Sequence, residues 1–86
     1  MTWWVYIIQA TDGTLYTGVT TDMARRFREH AGGGRGARYF AGRQPAGIVY
    51  SEAQPSRQEA QKREAAIKKL RRTDKQQLLQ DFIFFR

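Results

Sequence analysis

The chain has 86 residues, with 15 lysines and arginines against 8 aspartates and glutamates, and no cysteine. A chain this short buries only about 60% of the surface it exposes when unfolded, so residues 1–86 are read as a single domain with one core, and the missing thiols exclude disulfide staples, thiolate metal sites and cysteine nucleophiles. The net charge of +7 calls for a polyanionic partner, nucleic acid before an anionic membrane surface, with a merely solubilising surface as the plainer alternative.

Residues 1–8 are apolar but short, and no basic segment precedes them, so they do not read as a signal peptide. No apolar run approaches the roughly 20 residues that span a bilayer. A cytoplasmic protein with no membrane partner is the expectation. Residues 3–9 are β-branched and aromatic and read as a strand. Asp12-Gly13 is a turn signal, and residues 14–20 read as a second strand, so the first twenty residues form a hairpin. The turn decides which side chains share a face. A two-residue loop pairs Thr11 with Thr14 and sends Tyr6 and Tyr16 to opposite faces. A three-residue loop pairs Ala10 with Thr14, sets Tyr6 opposite Gly18 and Ile8 opposite Tyr16, and puts both tyrosines on one face, because strand side chains alternate. Glycine at the last loop position suits the left-handed residue of that longer turn. The sequence leaves both open; a shared site requires the second.

Thr21 or Asp22 caps a helix running to about residue 31. Met23 and Phe27 mark its apolar stripe, and Arg26 and His30 fall together at i and i+4 along the edge of that stripe. Residues 32–43 are rich in glycine and arginine and carry two aromatics. Residues 47–52 read as a third strand. Ser56-Arg57-Gln58-Glu59 fits a capping box that opens a second helix to about residue 70, with Ala60, Ile67 and Leu70 inward. Thr73-Asp74-Lys75-Gln76 is a second capping-box match and starts a last helix with Leu78, Leu79, Phe82 and Ile83 facing the core. The expected fold is α+β: a three-stranded antiparallel sheet flanked by three helices, in the order ββαβαα.

Glu64 lies beside the inward stripe of the second helix. The plain reading is a solvated carboxylate paired with Lys68 at i+4. Turned toward the hairpin, it needs a compensating charge, and a hard oxygen ligand suits Mg²⁺ or Mn²⁺, which keep several waters and accept a phosphate oxygen. His30 is the one histidine in the chain; at a helix end it reads equally as a dipole partner. Arg26 can hold a phosphate bidentately and offset developing charge. Tyr6 and Tyr16 are ordinary strand residues by propensity, and a phenol is a poor base at neutral pH unless a cation lowers its pKa. Arg35, Arg38 and Arg43 can meet phosphates, and Tyr39 and Phe40 can stack on bases; a solubilising loop is the alternative. The cations of the second helix and beyond (Lys62, Arg63, Lys68, Lys69, Arg71, Arg72) either extend that nucleic-acid patch or solvate a face.

Trp4-Val5-Tyr6, Tyr16-Thr17-Gly18, Arg26 with His30, and Glu64 in Arg63-Glu64-Ala65-Ala66-Ile67-Lys68 together resemble the GIY-YIG nuclease superfamily, over essentially the whole chain. The likeness is greatest to its small single-domain bacterial members, and extends to the N-terminal incision domain of the excinuclease. The resemblance implies a metal-dependent DNA endonuclease, a hydrolase of phosphodiester bonds acting in DNA repair or recombination, with one Mg²⁺ or Mn²⁺ on Glu64. It implies Arg26 on the phosphate, Tyr16 as general base, and Tyr6 and His30 orienting the attacking water or sharing its proton. Arg35, Arg38, Tyr39 and Arg43 are the expected nucleic-acid contacts, the substrate being DNA, branched or single-stranded, with RNA left open. Trp4 and Thr17 depart from the name triplets. Val19 stands where some relatives carry a lysine or small polar residue, a loss expected to weaken phosphate binding. With no separate targeting module, a protein partner that supplies substrate choice is a further expectation. The alternative is a nucleic-acid-binding module of the same fold with little or no cleavage; an adaptor for an acidic protein is a third reading.

Overall fold

Two strands, β1 (Trp3–Ala10) and β2 (Leu15–Thr20), form the N-terminal hairpin. Its register sets Tyr6 opposite Gly18 and Ile8 opposite Tyr16, so the three-residue loop is the one adopted. Ala10 N–H donates to Thr14 O at 2.9 Å, and Gly13 N–H to Ala10 O at 2.9 Å. Gly13 takes the left-handed conformation, φ 88°, which glycine enters without strain. The Asp12 carboxylate accepts from Thr14 N–H at 3.0 Å and from the Thr14 hydroxyl at 2.7 Å, fixing the loop from inside. The structure is a computed structural model that describes the main chain of residues 1–32 and 45–84 and the side chains of residues 1–29 and 45–82.

Helix α1 (Met23–Gly32) follows the hairpin, then strand β3 (Pro45–Gln54), helix α2 (Arg57–Lys68) and helix α3 (Arg72–Phe84). The fold is α+β, in the expected order ββαβαα. The sheet order is β2-β1-β3, with both pairings antiparallel. The central strand is therefore the aromatic and β-branched β1, whose residues Val5 to Ile8 are all buried. Strand β3 is longer than its expected span of 47–52. Two register shifts against β1 accommodate the extra length.

Alternation divides the core in two. Val5 and Ile7 pack with Tyr50, Ala60 and Ile67, backed by Leu78, Leu79 and Phe82, on the face covered by α2 and α3. The side chain of Ile83, expected on that same face, lies outside the described residues. Tyr6, Ile8 and Ala10 pack with Tyr16, Met23 and Phe27 on the face covered by α1. Asp22 caps α1, its carboxylate accepting from Arg25 N–H at 3.0 Å. Ser56 caps α2, accepting from Glu59 N–H at 3.2 Å, as the sequence signal requires. Helix α3 corrects the expectation. It starts at Arg72, with Lys75 N–H donating to Arg71 O at 2.9 Å, so Thr73 lies inside the first turn and not at the cap. Helix α2 ends at Lys68, two residues short of the expected span, and closes with a tight turn, Leu70 N–H to Ile67 O at 3.1 Å, with Leu70 half-buried.

Candidate active site

The hairpin register brings Tyr6 and Tyr16 to one face, their ring centroids 6.3 Å apart and their planes tilted by 43°. Gly18 makes this possible. A β-carbon there would stand 2.5 Å from the Tyr6 hydroxyl oxygen and 2.7 Å from its ring Cζ. The Tyr6 ring thus lies across the bare backbone of its cross-strand partner. Helix α1 then closes over it through Met23 and Phe27, and Tyr6 is fully buried.

The Thr20 hydroxyl sets the entry to α1. It accepts from Asp22 N–H at 3.1 Å, folding the chain sharply from β2 into the Asp22 cap. Arg26, one turn into the helix, consequently points back at the tyrosines. Its Nε donates to the Tyr6 hydroxyl at 3.3 Å, and a terminal nitrogen donates to the Glu29 carboxylate at 3.3 Å. Tyr16 also acts on the same guanidinium, favouring its charged form. The Tyr6 bond, acting against burial, raises the Arg26 pKa further above its already high value, with Glu29 and Tyr16 adding to it. An open groove of about 290 Å³ beside Arg26 is lined also by Trp3, Val19, Thr20, Arg25 and Glu29.

Burial pushes the Tyr6 hydroxyl up to about 12. The hydrogen bond and charge of Arg26 act the other way, but loss of solvent outweighs them. Tyr6 is therefore a neutral phenol at physiological pH, contrary to the idea that a nearby arginine makes it a base. Glu64, on α2, acts on Tyr6 through its charge, which adds the smallest part of the upward push. Its side chain is 23% exposed and pairs with Lys68 at 3.3 Å, the i+4 partner expected from the sequence.

Tyr6, Tyr16 and Arg26 are thus in mutual contact, with Glu64 in electrostatic range. His30 lies in α1 one turn beyond Arg26, its side chain outside the described residues. Arg35, Arg38, Tyr39, Phe40 and Arg43 lie outside the described residues altogether. Thr17 is buried on the opposite face from the tyrosines, so the departure from an aliphatic residue there does not alter the site. Val19 packs against the α2–α3 side of the core while one edge lines the groove beside Arg26. Glu29, the carboxylate on Arg26, was missed in the sequence; its i+3 spacing from Arg26 was the available signal.

Among the described residues no three histidine, cysteine, aspartate or glutamate side chains cluster for a metal. A single, partly exposed carboxylate beside an exposed lysine does not suit Zn²⁺, which wants three or four protein ligands. It fits Mg²⁺ or Mn²⁺, which bind through one or two carboxylates, waters and a substrate phosphate.

Two tyrosines and an arginine thus form one polar cluster on a basic α+β domain, with the charge of a helix carboxylate acting on it. Residues 2–77 match the GIY-YIG catalytic domain. A UPF0213 protein of Desulfotalea psychrophila is 53% identical over 77 residues, covering 90% of this chain and 70% of that one. A UPF0213 protein of Halobacterium salinarum is 47% identical over 74 residues, covering 86% of this chain and 95% of that one. The solution NMR structure of a UPF0213 protein from Bacillus halodurans is 45% identical, covers 93% of this chain and 84% of that one, and superposes with a TM-score of 0.59. The chain belongs to the GIY-YIG family, a nuclease superfamily.

Proposed function

We propose that this protein is a divalent-metal-dependent endonuclease that hydrolyses phosphodiester bonds in DNA, in repair or recombination. The observation that carries the reading is Arg26, held by the Tyr6 hydroxyl at 3.3 Å with Tyr16 beside it and the Glu64 charge in range.

In this reading Arg26 exchanges the Glu29 carboxylate for an oxygen of the scissile phosphate and stabilises the charge that develops there. Tyr6 does not take a proton, because burial keeps it neutral. It acts as a positioning residue, fixing the guanidinium through its hydroxyl oxygen. Tyr16, half-buried, takes the proton of the attacking water as it passes its own hydroxyl proton to solvent, and so serves as the general base. His30, one turn past Arg26, orients that water. Glu64, released from Lys68, would hold one Mg²⁺ or Mn²⁺, which would supply Lewis-acid polarisation of the phosphate and help orient the leaving group.

A nicking assay tests this reading. It uses supercoiled, single-stranded and branched DNA and the matching RNA, with Mg²⁺ or Mn²⁺ against chelator. Wild type is expected to cut only with metal, and Glu64→Ala to cut slower by on the order of 100-fold. If both bind DNA alike and neither cuts in any metal, the nucleic-acid-binding module is the better account.

A further inference from the structure

The cations between α2 and α3 are not used by the cleft around Arg26. Lys68, Lys69, Arg71, Arg72 and Lys75 fall within eight residues, opposed only by Asp74. Lys69, Arg71 and Arg72 are exposed and Lys75 is half-buried. Helix-end electrostatics account for part of the run. Lys68 and Lys69 close α2, where a cation is favoured by the dipole. Arg72 and Lys75 are the reverse case. They stand in the first turn of α3, where a cation is disfavoured, so fold stability does not explain them.

Both line a groove of about 420 Å³ between α3 and the tip of the hairpin. Gln9, Thr14 and Gln76 give that groove neutral hydrogen-bonding groups, and Leu15 and Leu79 its apolar floor. Among the described residues no carboxylate lines it. The run meets the candidate site only through Lys68, which is ion-paired to Glu64 at 3.3 Å; the groove itself opens on the α2–α3 side of the sheet, where Leu15 and Leu79 belong to that core. A surface of this kind, cationic and amide-lined, matches a nucleic-acid backbone. It does not match a membrane, which would need an exposed apolar face alongside the charge.

We propose that the groove between the hairpin tip and α3 is a second contact for the phosphodiester backbone, in which Arg72 and Lys75 hold the strand on which the Arg26–Glu64 cleft acts. The assignment of the cleft rests on the nuclease reading; the binding role of the groove does not. Arg72 and Lys75 each neutralise one phosphate, and Gln76 and Thr14 hydrogen-bond the sugar-phosphate chain without selecting sequence.

The test is fluorescence anisotropy of labelled single-stranded and duplex DNA with the full chain in chelator, over a series of KCl concentrations. Arg72→Gln and Lys75→Gln are each expected to reduce the slope of log affinity against log salt by about 1, and to weaken binding about 3- to 10-fold at moderate salt. Lys62→Gln, the same charge change at an exposed residue of α2 paired with Glu59, is expected to change affinity less than twofold. Arg72→Lys should restore the slope. A double variant, Arg72→Gln with Lys75→Gln, that binds DNA with the wild-type slope overturns the proposal. So does a double variant that loses binding to anionic phospholipid vesicles but not to DNA. Cleavage in Mg²⁺ or Mn²⁺ separates the two readings. A wild type that cuts nothing while the slope falls in the variants removes the nuclease and keeps the groove. Cutting with unchanged slopes does the opposite.

Discussion

Opposite Tyr6 the second strand carries a glycine because a β-carbon does not fit there. The nearest atoms to that carbon would be the Tyr6 hydroxyl oxygen at 2.5 Å and ring Cζ at 2.7 Å. Tyr6 is fully buried beneath α1 and cannot swing away as an exposed side chain would. Gly18→Ala is therefore expected to lower stability by about 1–3 kcal/mol through overpacking, read as a lower urea midpoint. It should also displace the Tyr6 hydroxyl from Arg26. Any nuclease activity then falls by more than the loss of folded protein explains.

At the level of elements, a small polar network fixes α2 to the sheet. The Glu52 carboxylate on β3 accepts from Arg63 Nε at 3.0 and 3.2 Å, from Gln54 at 2.5 Å and from the Tyr50 hydroxyl. Tyr50 in turn meets Phe82 of α3 edge-on, ring centroids 5.2 Å apart. Arg63 precedes Glu64, so the same pair that holds α2 on β3 sets the rotation of the candidate metal ligand. Burial alone would raise the Glu52 carboxyl, but its hydrogen bonds from Tyr50, Arg63 and Gln54 outweigh that and hold it below the ordinary carboxylate value. A group depressed in this way stabilises the fold above its unfolded pKa and loses that contribution as pH falls through the lower folded value. Stability should hold from neutral pH down to the ordinary carboxylate range and drop below it. Glu52→Gln should flatten that acid limb at a cost of about 1 kcal/mol at pH 7, Arg63 being 39% exposed and so partly screened. Urea midpoints measured at pH 7 and pH 3 for both proteins check this.

For the molecule as a whole, three strands separate two small cores, and no helix among the described residues is long and apolar enough to cross a membrane. A domain of this size holds on the order of 5–10 kcal/mol of stability. Ile67, fully buried between α2 and the central strand, carries a large share of it. Ile67→Ala is expected to cost about 2–5 kcal/mol and to leave a large part of the protein unfolded at 37 °C, seen as a lowered Tm by circular dichroism. The nucleic-acid reading also belongs to this scale. Net charge is a property of the whole surface, and the two cationic regions in view, at Arg25–Arg26 and at the α2–α3 junction, lie on different elements.

Element types, their order and most of the core were readable in the sequence, because alternation, helical periodicity and caps are local rules. The Ser56 and Asp22 caps and the buried Ala60 and Ile67 follow from residues a few positions apart. The third cap signal, at Thr73, misled: the chain turns at Leu70 and α3 is already helical at Arg72, with Lys75 N–H bonded to Arg71 O. The tyrosines, Arg26 and Glu64 could be named from their order along the chain, but not brought together, since a one-residue difference in the hairpin turn sends Tyr16 to the other face. Tertiary structure decided that register. It also decided the neutral state of Tyr6, because desolvation by α1 outweighs the arginine beside it. Pairings between distant residues, such as Glu52 with Arg63, leave no periodic trace in a single sequence. They arise only when the sheet and helices are packed.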